Sequence, residues 1–244
     1  MRKNLFSIFK DYPDLVCVLS EKKDGSMRLL GREKTNRKIR ENRKRFLKKL
    51  GIEEGLVTSA GLIHGSKVKI ITKKEAGKII KNTDGLLTNE RGLFLSITVA
   101  DCLPIFLYEK KRKIIGLIHG GWRSLAKGIL FEAIKKINKE LDGSSRDILV
   151  GIGPGISQCH FEVKNDVLER FNPSLLKNST IRRQKKLFLD LKKIAQTQLV
   201  DLGLKKENIE INSECTFCLS DKYFSYRREK PKIPKTMIAI IGLT

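Results

Sequence analysis

The chain has 244 residues, with 50 Lys and Arg against 27 Asp and Glu, which gives a formal net charge of +23. This length suits one substantial domain or two small ones. No Pro/Ser-rich linker, low-complexity run or internal repeat divides the chain, so we predict one domain over residues 1–244. No apolar stretch has transmembrane length, and residues 1–15 lack the apolar core and cleavage site of a signal peptide. The five cysteines form no disulfide framework, so we expect a cytoplasmic protein with free or metal-bound thiols.

The large positive charge is compatible with nucleic acid or an anionic membrane as a binding partner. The lysines, however, are spread along the whole chain, and no zinc-finger or RNA-recognition signature accompanies them. The one dense basic block, residues 32–49, carries Ile39, Phe46 and Leu47 among its charges, which is typical of a solvated helix with a narrow apolar stripe. We therefore predict small anionic substrates rather than nucleic acid or a membrane.

Hydrophobic periodicity predicts more strands than helices. In chain order we predict a strand at residues 15–20, the basic helix, one or two strands within 55–72, a short strand within 84–90, two strands within 92–109, a strand at 114–118, a helix over 125–141, a strand from 147, a helix from about 164, a helix over 187–204, and strands within 208–214 and 235–243. Because several strands follow one another directly, the pattern favours α+β layering over a doubly wound sheet.

All three histidines, His64, His119 and His160, lie at breaks in strand-like segments, and Cys102 and Cys159 lie at similar breaks. Loops at strand ends are where functional sites are commonly built. His64, Cys102 and His119 make a His₂Cys set that suits zinc and leaves a fourth position open. The spacing gives no local chelate signature, and a Cys102 nucleophile with His119 as its base is equally allowed.

Two further features concern anions and thiols. Arg123 falls in the predicted first turn of a helix, where N–H groups and the helix dipole favour an anion. Arg227 and Arg228 lie beside aromatic residues in "FSYRRE" and predict either a phosphate or nucleobase patch or a surface ion pair. The C-x-x-C at Cys215 and Cys218 has no second C-x-x-C, so we interpret it mainly as packing, with Cys215 near the site.

Five segments resemble, in order, the YfiH-type family, variously named laccase-domain protein or polyphenol oxidase, purine nucleoside phosphorylase and peptidoglycan editing factor. They are "TDGLLT" (83–88), "TVADCLPIFL" (98–107), "GLIHGGWRSL" (116–125), "GIGPGISQCHFEV" (151–163) and "CTFCLSDKYFSYRREK" (215–230). The family's late Thr-Gly-Arg is replaced here by Lys235-Thr236-Met237, so one arginine of the family pattern is missing or displaced.

The resemblance implies a layered α/β/β/α fold, related to the toxin deamidase domain of the cytotoxic necrotizing factor type. It also implies a metal at His64, Cys102 and His119, with zinc the usual ion and copper claimed for the oxidase activity. The implied activities are phosphorolysis of adenosine, inosine and methylthioadenosine, and deamination of adenosine. Alternatives are an amide hydrolase that edits muramyl-serine peptidoglycan precursors and a copper-dependent polyphenol oxidase.

For these activities we predict Cys102 and His119 as catalytic residues that also hold the metal. Arg123, with Arg227 or Arg228, would bind phosphate, because donors must hold the attacking phosphate in line. Deamination needs a proton shuttle. Glu162 is the carboxylate nearest a site motif and His160 is the second candidate, although Glu162 also suits a helix N-terminal charge. A single three-ligand metal does not form a multi-copper array, so we expect any phenol oxidase activity to be weak.

Overall fold

The computed structural model describes residues 4–28 and 37–244. Within these residues the strands form one five-stranded sheet, one six-stranded sheet and a small three-stranded sheet. The five-stranded sheet runs, in spatial order, through β1 (Leu15–Leu19), β14 (Met237–Leu243), β6 (Phe94–Val99), β2 (Val57–Gly61) and β4 (Ile79–Lys81). The six-stranded sheet runs through β13 (Ile209–Ile211), β9 (Ile148–Ile152), β7 (Leu103–Glu109), β8 (Ile114–Gly120), β5 (Gly85–Thr88) and β3 (Val68–Ile70). The small sheet runs through β10 (Glu162–Val163), β12 (Lys186–Leu189) and β11 (Thr180–Arg183).

The helices flank the two large sheets. In chain order they are α1 (Arg37–Leu50), α2 (Trp122–Ala126), α3 (Ile129–Glu140), α4 (Asn165–Leu168), α5 (Pro173–Leu176), α6 (Leu191–Asp201) and α7 (Tyr226–Glu229). The first part of the predicted basic helix lies outside the described residues, and α1 covers the rest with Phe46 and Leu47 buried.

Strand alternation divides the buried side chains among three core layers. In β7, Ile105 and Leu107 pack toward α3 and α6, whereas Phe106 and Tyr108 pack between the two large sheets. In β14, residues 237, 239, 241 and 243 pack between the sheets, and residues 238 and 240 pack toward α1. Because successive strand residues point to opposite faces, strands covered on both sides are apolar throughout. The molecule is therefore layered α/β/β/α, which confirms the predicted α+β fold.

Two predicted helices differ from the structure. The helix predicted over 125–141 is divided at Gly128, whose φ of +76° places it in the left-handed region and starts α3 anew. The helix predicted over 187–204 begins only at Leu191, because residues 187–189 pair with neighbouring strands and the Asp190 carboxylate caps the helix by accepting from Lys193 N. Apolar residues of a strand and of the following helix run together in the sequence and conceal this boundary.

Among the described residues, no helix is both long and apolar enough to cross a membrane.

Candidate functional site

Three side chains converge where the chain passes between the two large sheets. His64 lies on the connection from β2 to β3, and Cys102 lies on the turn from β6 to β7. His119 is near the end of β8, opposite Pro104 of β7. Because two of the three residues come from inter-sheet connections, residues far apart in sequence meet at one end of the sheet sandwich. The predicted His64, Cys102 and His119 set is thus brought together.

The three side chains are close enough to share one ion. Their nitrogen and sulfur atoms all lie within 4.8 Å of one another, and Cys102 Sγ is 3.9 Å from His64 Nε2. His119 is buried, Cys102 is half-buried and His64 is exposed. The set therefore lies at the boundary between the core and solvent, open on the His64 side.

Asp84 holds both histidines in place. Its Oδ1 lies 3.0 Å from His119 Nδ1 and accepts from the backbone N–H of His64 at 2.9 Å, and its Oδ2 accepts from the backbone N–H of Gly65 at 2.8 Å. These bonds fix His64 in the left-handed backbone region, with φ of +58°. Since Nδ1 of His119 is directed at Asp84, Nε2 remains as the ring nitrogen available to an ion, which is the usual role of a carboxylate behind a metal-binding histidine.

The charges around Cys102 favour its thiolate form. Burial alone would raise the pKa of the Cys102 thiol, but the charge of His119 and hydrogen bonds from His119 and His64 lower the pKa to about 6. Burial alone would lower the pKa of His119, but the Cys102 thiolate and the Asp84 carboxylate raise that pKa to about 9. The thiolate is the form of cysteine that binds metals and acts as a nucleophile, so the geometry allows both chemistries.

Gly121 leaves the space that an ion would need. A Cβ atom at this residue would lie 3.1 Å from Cys102 Sγ and 3.2 Å from His64 Cδ2. Any larger residue would therefore press on two of the three side chains. The donor set, two imidazoles and one thiolate, together with this close backbone approach, fits a zinc ion with an open fourth position.

The three side chains line a cavity of about 2020 Å³. Its wall in the described part of the chain carries six cationic residues: Arg28, Arg40, Lys78, Lys81, Arg123 and Arg227. Aromatic side chains of Trp122, Phe161 and Tyr226 also line it. The cavity thus combines positive charge, flat apolar surfaces and a possible metal centre.

The predicted arginines have different positions. Arg123 is exposed on α2, stacks over Trp122 at 4.2 Å and lines the cavity. Arg227 also lines the cavity, and its Nη1 donates to the carbonyl of Glu162 at 2.8 Å. Arg228 instead donates to the backbone carbonyls of residues 216, 217 and 223, so it braces a loop.

Glu162 and His160 are not among the described residues that line the cavity. The Glu162 carboxylate pairs with Lys186 at 3.0 Å. His160 lies in a second Cys/His cluster with Cys159, Cys215 and Cys218, where the ligand atoms again lie within 4.8 Å of one another. Cys215 is buried as expected for packing, but Cys218 is exposed and faces Cys159, so packing does not describe the pair.

Sequence reasoning missed several residues of the site. Asp84 and Asp101 stand within the motifs 83–88 and 98–107, but the sequence alone indicates no role for either. Asp101 lines the cavity, has φ of +82° and accepts from Thr216 and Ser225 side chains. Arg40 lies within the basic block that suggested only a solvated helix face. Thr236, from the segment that departs from the family pattern, lines the same cavity as Arg28.

The sequence and fold match a known class of proteins. The family model described as "Multi-copper polyphenol oxidoreductase laccase" matches residues 24–244. The chain belongs to this family, in agreement with the resemblance found in the sequence.

Individual proteins and solved structures similar to this chain are the following. Purine nucleoside phosphorylase YlmD of Bacillus subtilis (strain 168) is 31% identical over 192 residues, which cover 74% of this chain and 68% of that protein. The crystal structure of Bacillus licheniformis hypothetical protein YfiH has a TM-score of 0.89 at 25% identity, covering 96% of this chain and 95% of that one. The crystal structure of YlmD from Geobacillus stearothermophilus has a TM-score of 0.88 at 28% identity, covering 95% of this chain and 93% of that one.

Proposed function

We propose that this chain is a metal-dependent purine nucleoside phosphorylase acting on adenosine, inosine and methylthioadenosine, with adenosine deaminase activity. The observation that carries the proposal is the meeting of His64, Cys102 and His119 in a cavity with a cationic wall. The similarity to proteins named purine nucleoside phosphorylase supports the choice of substrate class.

Phosphate binding falls to Arg123 and Arg227. In phosphorolysis a phosphate oxygen forms a bond to the ribose anomeric carbon while the bond from that carbon to the purine nitrogen breaks. The purine leaves with the bonding electrons and takes up a proton. Donors that hold phosphate in line lower the entropic cost of this step. Arg227 is suited to the task because its backbone N–H donates to Asp101 at 2.6 Å and its guanidinium lies 5.2 Å from the Phe161 ring, which restrict its position.

The purine is expected to bind against the aromatic wall. Tyr226 is 55% exposed although it lines the cavity, so its ring is free to stack on a base. Trp122 and Phe161 supply further flat surface, and each is covered on one side by an arginine. A cavity lined by aromatic residues and a few placed polar groups is typical of small-ligand sites.

The metal is assigned to His64, Cys102 and His119, with zinc as the ion and copper as the alternative. When bound, zinc supplies Lewis-acid chemistry at its open fourth position. Asp84 orients His119 through Nδ1, and Gly121 keeps the neighbouring space free of a side chain. The proton-transfer role predicted for Glu162 and His160 stays a prediction, and Glu162→Gln tests it through the rate of adenosine deamination.

The first experiment incubates zinc-loaded protein with adenosine, with and without phosphate, and separates the products. We expect adenine and ribose 1-phosphate only when phosphate is present. Deamination should give inosine without phosphate, and inosine together with its phosphorolysis product hypoxanthine when phosphate is present. Cys102→Ala should abolish both reactions and lower the zinc content. Cys17→Ala, which removes a buried cysteine of β1 that does not line the cavity, should leave both intact.

A metal-loaded protein that forms neither product would contradict the proposal. Release of serine from a muramyl-serine nucleotide without phosphate would then favour the amide hydrolase. Activity that persists in metal-free Cys102→Ala protein would contradict the assigned metal centre.

A further inference from the structure

A second cluster of potential metal ligands lies outside the proposed active site. Cys159 and His160 follow the turn after β9, and Cys215 and Cys218 follow β13. Cys159 Sγ is 3.6 Å from Cys218 Sγ, and His160 Nδ1 is 3.2 Å from Cys159 Sγ and 3.3 Å from Cys218 Sγ. All four ligand atoms lie within 4.8 Å of one another.

These distances match the edges of a tetrahedral zinc site. With Zn–S bonds of about 2.3 Å and Zn–N bonds of about 2.0 Å, two sulfurs lie about 3.8 Å apart and a sulfur and a nitrogen about 3.5 Å apart. The three separations among Cys159 Sγ, Cys218 Sγ and His160 Nδ1 are only a few tenths of an ångström shorter, and Cys215 Sγ lies within 4.8 Å of each of these atoms. Small movements of the side chains would therefore admit an ion.

The surroundings already fix the ligands. The His160 ring stacks on Phe217, with centroids 4.0 Å apart and an interplanar angle of 15°, which holds its Nδ1 toward the sulfurs. The backbone N–H of Ser157 donates to Cys215 Sγ at 3.3 Å, which favours a thiolate there. Four protein ligands of the Cys₃His type leave no open coordination position, which is the mark of a structural zinc site.

We propose that Cys159, His160, Cys215 and Cys218 bind a second, structural zinc ion. Binding releases the thiol protons to solvent and forms bonds from three sulfurs and one nitrogen to the ion. The ion would join the loop after β9 to the segment after β13, which are held together within the described residues by the short Gly155–Cys215 bridge and neighbouring hydrogen bonds.

The joined segments carry one wall of the active-site cavity. Thr216, next to Cys215, donates to Asp101 at 2.6 Å, and Phe161, next to His160, packs against Arg227. The proposed ion would therefore fix the position of Arg227 without contacting substrate. This site goes beyond the proposed function and does not depend on it.

The test counts zinc in the full-length protein purified under reducing conditions. We expect two zinc ions per chain in the unaltered protein and one in the Cys159→Ser/Cys218→Ser variant. Both replaced residues are exposed, so the variant should fold. After replacement of zinc by Co²⁺, the thiolate-to-cobalt absorbance of this variant should fall to about a quarter, because three of four metal-bound thiolates belong to this site.

Two matched variants separate the sites. His119→Ala should lose the other ion and keep the three-thiolate cobalt spectrum, and Cys17→Ala should keep both ions. One zinc per chain in the unaltered protein, or two in the double Ser variant, would overturn the proposal. A disulfide between Cys159 and Cys218 in the reduced preparation would also overturn it. These outcomes are read without substrate, so they are independent of whether the protein is a phosphorylase.

Discussion

Asp101 and Thr216 are 115 residues apart in sequence, yet the Thr216 hydroxyl donates to the Asp101 carboxylate at 2.6 Å. The second carboxylate oxygen accepts from the Ser225 hydroxyl at 3.1 Å and from the backbone N–H of Arg227 at 2.6 Å. Asp101 precedes Cys102, so one buried carboxylate joins the candidate metal centre to the segment that carries Arg227, one of the two arginines proposed to bind phosphate.

Asp101→Asn should weaken this connection, because an amide offers one acceptor oxygen where the carboxylate offers two. We expect a loss of about 1–3 kcal/mol in the free energy of unfolding and a higher KM for phosphate. Urea unfolding and phosphate saturation kinetics measure the two effects. Asp166→Asn, at an exposed position in α4, is the control. An Asp101→Asn variant with unchanged KM would show that Arg227 is positioned by other contacts.

Asp84→Asn should weaken metal binding more than it weakens the fold. Oδ1 of Asp84 faces His119 Nδ1 and accepts from the His64 N–H, while Oδ2 accepts from the N–H groups of Gly65 and Ile63. An amide replaces one of these oxygens with a nitrogen that donates and cannot accept. Loss of such a supporting carboxylate lowers metal affinity by about 10- to 100-fold. Competition with a chelator measures the affinity, and unchanged zinc retention would refute the role assigned to Asp84.

Gly121→Ala should reduce turnover, because the new methyl group would lie 3.1 Å from Cys102 Sγ. A displacement of the metal-binding side chains by a fraction of an ångström to one ångström lowers the rate by about 10- to 100-fold. Gly55→Ala is the matched control, since a Cβ there meets nothing within 4 Å. The measurement is the steady-state rate of both variants at equal zinc loading. Equal rates would contradict the role assigned to Gly121, which is to leave space beside the metal ligands.

Tyr108→Phe should make the fold less sensitive to alkaline pH. Burial, with the charge of Asp14, raises the pKa of Tyr108 to about 12, above its ordinary value of about 10. Because the folded pKa exceeds the unfolded one, this stabilisation is complete below about pH 10 and is lost as the pH rises to about 12. Urea unfolding at pH 9 and pH 11 should show a smaller loss for Tyr108→Phe than for the unaltered protein. An equal loss in the two proteins would contradict this role of Tyr108.

The layered fold and the three residues of the candidate metal centre could be predicted from the sequence. Apolar runs in the sequence indicate buried strands, and His64, Cys102 and His119 lie at the positions where those runs are interrupted. The roles of Asp84 and Asp101 could not be derived, because each depends on partners that only the sheet-to-sheet connections bring near.

The cluster of Cys159, His160, Cys215 and Cys218 likewise could not be derived from the sequence. Cys159 and Cys218 are 59 residues apart, and neither local segment has the spacing of a complete four-ligand motif. The C-x-x-C gives two ligands, and the remaining two come from a turn whose position depends on β9 and β13 lying side by side. Arg40 was missed for a different reason: nothing in a basic helix distinguishes the arginine that borders a cavity from those that face solvent.

The order of strands in the five-stranded sheet has a consequence for synthesis on the ribosome. Among the described strands β14 is the neighbour of β1 in that sheet, and the register places Leu15 opposite Leu243. An emerging chain therefore holds β1 without its neighbour until the whole intervening sequence has been translated. During that interval β1 and the edge of β6 that later pairs with β14 lack their partner, and we expect these edges to be the ones most prone to pair with other chains.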